Sequence, residues 1–321
     1  MVRLRIACLV ALLFLPQAWA EPKSDDAVAT ILGARVRLVE GDEARAVISG
    51  SDAFTRAMGD YELSLRLGTA EPRTEADYLS HAAASVVAWE PDARAGWSEA
   101  ARSLAAATKG LNLDLPAEIL LVRTQADFDV GMPHTRGNAV ILTGPRTEGA
   151  LQLLAHEVFH LASRHDPALR DRLFPLFGYR KIDPVKLPDA IAPRRLTNPD
   201  AFAHRHSIAV TTPDGDAEVV PILSSKVSLE EGLAAEGGIF SILELNLVSA
   251  DGSGIFTTEN TNFVEVAAIN TGYIIDPEEV VADNFALLCL RRAGVERELP
   301  RPEFLGKLEA ALTARAPEPG S

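Results

Sequence analysis

The chain has 321 residues and a formal net charge of −14, with 47% hydrophobic side chains. That length is enough for a sizeable apolar core without covalent staples. The acidity argues against nucleic acid or an anionic membrane as partner, since both require a basic footprint. The only two cysteines, Cys8 and Cys289, rule out a disulfide framework and a zinc site built on thiolates.

Arg3 and Arg5, the apolar run Ile6–Leu15 and the small-x-small triplet Ala18-Trp19-Ala20 follow the order of a secretory signal peptide. The apolar run is shorter than the roughly twenty residues that a spanning helix needs. The expectation is a signal peptide over residues 1–20, a mature chain starting at Glu21 and a bacterial periplasmic or secreted location without a stable membrane anchor. Cys289 would then be the sole cysteine. It lies in apolar Phe285–Leu290 and reads as a buried small hydrophobe.

Residues 21–115 read as a mainly helical N-terminal region, with apolar residues at helical spacing in 52–68, 75–90 and 93–109. The texture changes at Pro116. Glu118–Arg123 and Asn138–Thr143 are short aliphatic runs bounded by turn residues and read as strands, with Met132–His134 in a loop between them. A long helix is expected over 147–163, capped by Thr147 and ended at His165-Asp166-Pro167. A second helix is expected over 168–178.

Residues 190–254 have strand and loop texture. Segments 207–211 and 217–223 flank the turn residues 213–216, and 241–249 reads as a further strand. Pro277 opens a helix that runs to Arg292, and Glu303–Arg315 forms a last amphipathic helix before a fraying tail. Arg194-Arg195 and Arg291-Arg292 read as solvated charge. The chain is therefore expected to be α+β with segregated elements, residues 116–321 forming its catalytic region.

The chemistry concentrates at His156-Glu157-Val158-Phe159-His160. Histidines four apart on a helix share a face, with Cβ atoms about 6 Å apart, so both imidazoles can reach one tetrahedral Zn2+. Glu157, rotated about 100° around the helix, can hold a water beside the metal without blocking it. The surrounding residues are apolar on nearly every side, so two histidines and a carboxylate would be buried, and a bound cation relieves that cost. A core helix with two hydrogen-bonded histidines would carry the same residues without any metal.

A catalytic zinc has three protein ligands and one open position. The later helix carries Glu278, Glu279 and Asp283, with Glu279 and Asp283 four apart on one face and Glu278 off it. Here the chain resembles the gluzincin type of zinc metallopeptidase, which includes the thermolysin-like and M48-like families. Those families complete HExxH with the glutamate of a downstream E-x-x-x-D. The resemblance implies a zincin-like core with a small mixed or antiparallel sheet and a central HExxH helix. It implies Glu279 as the third ligand, with Glu278 its competitor, and Asp283 as acceptor of the far N–H of a ligand histidine. The long interval from His160 to Glu279 implies strands inserted between the two helices. The metzincin pattern is not met, because Ser163 and Asp166 stand where its glycine and third histidine would be and His165 is out of register.

In such a site Glu157 is the general base toward a metal-activated water, and peptide or protein is the substrate. Tyr273, His204 and His206 are candidates to stabilise the oxyanion. By the same resemblance, Asn138–Thr143 is either an edge strand able to pair with an extended substrate or an ordinary interior strand. Two other functions keep the same residues: an exported zinc protein without general proteolysis, and a metal-free helical interaction protein of the envelope.

Overall fold

The computed structural model describes residues 27–314. The signal peptide expected at 1–20 and the tail after the last helix lie outside them. Among the described residues the strands are β1 (Ala27–Ile31), β2 (Ala34–Val39), β3 (Glu118–Thr124), β4 (His134–Arg136), β5 (Ala139–Thr143), β6 (Tyr179–Lys181), β7 (His206–Thr212), β8 (Gly215–Ser225), β9 (Leu243–Ser249) and β10 (Ile255–Phe256). They form two five-stranded sheets, ordered β1-β2-β3-β5-β4 and β10-β9-β8-β7-β6. The architecture is mixed α+β.

In the first sheet β2, β3 and β5 run parallel, while β1 and β4 are antiparallel edges. Strand alternation sends Ile119, Leu121, Val140 and Leu142 to one face, against Trp97, Leu104, Leu154 and Val158 of helices Pro91–Ala107 and Ala150–His165. Leu120, Val122, Ala139 and Ile141 point the other way, toward Ala44, Ile48, Tyr78 and Ala82 of helices Gly41–Ile48 and Glu75–Ser85. Burial on both faces explains why β3 and β5 are continuous aliphatic runs in the sequence. Strands β1 and β2 were not anticipated within the mainly helical N-terminal region. Because β2 pairs with β3, this sheet runs across residue 116.

Two expectations change along the path to the site, and one left open is decided. The strand expected over Asn138–Thr143 forms as β5, and of its two alternatives it is the interior one, between β3 and β4, with β4 at the edge. His134 opens that edge strand and is not part of a loop. The long helix starts at Ala150, not Thr147: Gly149 precedes it at φ 71, and the carbonyl of Thr147 accepts the Ala150 N–H at 3.1 Å. The helix ends at His165, where Asp166 takes the extended backbone expected before Pro167 and caps the next helix, Pro167–Leu173.

The second sheet is wholly antiparallel and occupies the interval between the two helices that carry the motif residues. Tyr179, Ile208, Val210, Val219 and Leu247 join its inner face to the main core. Part of the strand expected over 241–249 is a helical turn, Ile239–Ile242, before β9. Helix Pro277–Arg292 starts where expected, with the Asp276 side chain accepting the Glu278 N–H at 2.9 Å. It packs along Ala150–His165, with the rings of Phe159 and Phe285 5.7 Å apart. The arginine pairs are bonded as well as solvated: Arg291 and Arg292 bridge to Glu309, and Arg195 donates to the carbonyl of Ala57. Cys289 is buried, which pushes its thiol up to about 12. No helix among the described residues is long and apolar enough to cross a membrane.

Candidate metal centre

The paired helices bring His156 and His160 against Glu279. The Nε2 atoms of His156 and His160 lie 3.0 and 3.5 Å from one oxygen, Glu279 Oε2. Ligand atoms about 2.0–2.1 Å from a tetrahedral zinc stand about 3.3 Å apart, so these separations suit a shared ion. His160 and Glu279 are 1% and 2% exposed, so any ion held there is drawn away from solvent.

The far nitrogens are engaged by different carboxylates. His156 Nδ1 lies 2.8 Å from Asp283 Oδ1, and His160 Nδ1 lies 3.2 Å from Glu278 Oε1. A proton on each Nδ1, donated outward, leaves each Nε2 lone pair facing Glu279. Lone pairs of nitrogen and carboxylate at that distance repel unless a positive charge lies between them. Without a metal that charge is protons. Burial pulls His156 down, but hydrogen bonds to Asp283 and Glu279 outweigh it and raise it to about 10. Burial likewise opposes ionisation of Glu279, yet the neighbouring His160 and His156 hold it below the usual carboxylate range.

Glu278 lies outside the group formed by His156, His160 and Glu279. Its oxygens are engaged by Arg170 at 2.9 Å, by the Ser163 hydroxyl and by His160 Nδ1. Off-face position on the helix, noted from spacing, accounts for this.

Glu157 is buried, and its Oε2 has no hydrogen-bond partner, as is true of His160 Nε2. Burial, then the nearby Asp200 carboxylate, push Glu157 up to about 8. Ligand atoms of Glu157, His160 and Asp200 lie within 4.8 Å of one another, as do those of His156, His160 and Glu279. Orphaned nitrogen and oxygen atoms at the centre of this mostly acidic cluster could hold a divalent cation, and imidazole with carboxylate donors suits several such metals without singling one out.

His156, Glu157, Glu279 and Asp283 open onto a cavity of about 460 Å³, walled by apolar residues such as Met132, Leu153 and Leu243. Tyr273 lines this cavity, its ring 6.3 Å from that of His156. Burial, then Glu279, raise its phenol above the ordinary range, so it stays a hydrogen-bond donor. His204 and His206 are not here. They line a neighbouring cavity with Arg170 and Phe174, and His206 packs edge-on against Phe174 at 4.7 Å.

Sequence reasoning missed Asn198 and Asp200. Asn198 Nδ2 donates to Glu279 Oε1 at 2.5 Å, and Asp200 accepts from the Thr135 N–H of edge strand β4 at 3.2 Å. Asn198-Pro199-Asp200 carries an Asx-turn signal that marks a loop, but nothing in it marks proximity to the helices. No protein family, curated protein or solved structure matches the chain.

Proposed function

We propose that this protein is an exported zinc metallopeptidase with a gluzincin-type site in a zincin-like core. The observation that carries the reading is the convergence of His156 Nε2, His160 Nε2 and Glu279 Oε2, with separate carboxylates behind the two imidazoles. Export rests on the N-terminal pattern of Arg3, Arg5 and the apolar run, and would be seen as a mature protein beginning at Glu21.

Zinc, when bound, supplies the Lewis acidity that polarises a peptide carbonyl and acidifies water. Burial and Asp200 favour the protonated form of Glu157 in the absence of a cation, and a dication beside it would favour the ionised form. Glu157 Oε2, free of other partners, would then accept the proton that water gives up and return it to the leaving amine nitrogen. Tyr273 keeps its phenolic proton and donates it as a hydrogen bond toward the carbonyl oxygen as charge develops there. Asp283 and Glu278 fix the two imidazoles with Nε2 turned inward.

A narrower reading, an exported zinc protein acting on one partner or none, is favoured by one contact. The Thr135 N–H of β4, where an extended substrate backbone would pair, is already taken by Asp200.

Zinc content and peptide cleavage, measured together on four proteins, test these readings. Wild type should carry one zinc and cleave unstructured peptides. Glu157→Gln should keep the zinc and lose about 10²–10⁴-fold in kcat, whereas Glu279→Ala should lose the metal and Glu278→Ala should retain it more weakly. Zinc-loaded wild type that cleaves no peptide favours the narrower reading. Wild type that binds no zinc sinks both.

A further inference from the structure

We propose that Asn198 is the positioning residue of Glu279, holding its outer oxygen so that a single oxygen faces the two imidazoles. The inference rests on the metal reading above and adds a residue to it. Glu279 is the one proposed ligand whose own chemistry leaves its geometry open. A carboxylate offers two equivalent oxygens, and rotation about its last torsion can bring either or both to a cation. Binding through both would fill the position that water needs at a catalytic zinc.

Asn198 removes that freedom. Its Nδ2 donates to Glu279 Oε1 at 2.5 Å, while Oε2 is the atom 3.0 and 3.5 Å from the imidazole nitrogens. The orientation of the amide is not arbitrary, because Asn198 Oδ1 accepts the Asp200 N–H at 3.0 Å. With the oxygen so occupied, the NH2 group must face the carboxylate. The three proposed ligands then each have one outer partner: Asp283 for His156, Glu278 for His160 and Asn198 for Glu279.

The loop that carries Asn198 is anchored on both sides. Just before it, Thr197 donates from N and Oγ1 to Glu62, at 2.8 and 2.7 Å, and its carbonyl accepts from Arg66 at 2.8 Å. Glu62 and Thr197 are buried. Just after it, Pro199 restricts Asn198 to extended backbone, and Asp200 is bound by Thr135 and by Arg164 at 3.0 Å. Buried charged groups at both ends hold the amide in place before any ion arrives, which is what precise placement of a ligand needs.

The alternative role for Asn198 is to close its own turn, and a pair of variants separates the two. Asn198→Ala removes both hydrogen bonds. Asn198→Ser keeps a hydroxyl able to accept the Asp200 N–H but too short to reach Glu279. Zinc dissociation constants by chelator competition, and visible spectra of the Co2+-loaded forms, are measured for wild type, both variants and Glu279→Ala. Positioning requires that Ala and Ser weaken zinc binding alike, by about 10–100-fold as for other outer partners of metal ligands. It also requires a fall in the visible Co2+ absorption of both, as the freed carboxylate binds through two oxygens and raises the coordination number. Wild-type affinity and spectrum in Asn198→Ser would overturn the inference while leaving the metal site intact. Zinc binding that is unchanged in Glu279→Ala would instead remove the metal reading, and this inference with it.

Discussion

Burial pushes the imidazole of His204 down to about 4, helped by Arg195, and burial with Arg170 does the same to His206. His156 goes the other way, because Asp283 and Glu279 outweigh its burial. Among these three histidines the difference lies in the carboxylates that hydrogen-bond to His156 and outweigh its burial. The depressed pair sets a pH dependence. As pH falls from 6.5 toward 4, unfolded chains take up protons that folded His204 and His206 refuse, so stability is present above that window and is lost across it. Urea midpoints at pH 7 and pH 4.5 should differ less in His204→Gln than in wild type. An equal difference would mean that His204 does not carry the effect. Nothing in the spacing of His204 and His206 foretells this, since the partners that surround them come from distant segments.

Helix Ala150–His165 is legible element by element. Its two histidines share a face because the helical period puts them there, and its apolar sides bury it under the first sheet. Its start is less so, because Gly149 works through backbone conformation alone: it sits at φ 71 with open space where a Cβ would stand. Gly149→Ala should therefore destabilise by about 1–2 kcal/mol through strain and not through a clash. A thermal scan that shows no loss would mean that the start of the helix relaxes freely toward Thr147. Edge and interior strands were harder to tell apart. Asn138–Thr143 is aliphatic throughout, as an interior strand must be, but the three residues of β4 are too few to carry a pattern of their own.

At the scale of the whole molecule, the proposed ion joins a helix ending at residue 165 to one beginning at residue 277, across an entire antiparallel sheet. Zinc bound only by the folded chain stabilises it by mass action, about 2.7 kcal/mol when free zinc is 100-fold above its dissociation constant. Tm should rise on adding zinc, fall back with a chelator, and move little in Glu279→Ala. A wild-type Tm indifferent to zinc would leave the centre as a set of ion pairs between protonated imidazoles and carboxylates.

Local order along the chain was sufficient to place the two motif helices and to put His156 with His160, and Glu279 with Asp283, on common faces, while only the resemblance in motif implied that the two pairs belong together. Helical periodicity is a short-range property, written within four residues of each position. Tertiary structure alone decided that Glu278 backs His160, that Asn198 grips Glu279, that the Asp200 carboxylate accepts from the edge strand, and that His204 and His206 face another cavity. Each of those relations joins segments far apart in the chain, and partners that meet only through packing leave no periodic trace in the sequence that encodes them.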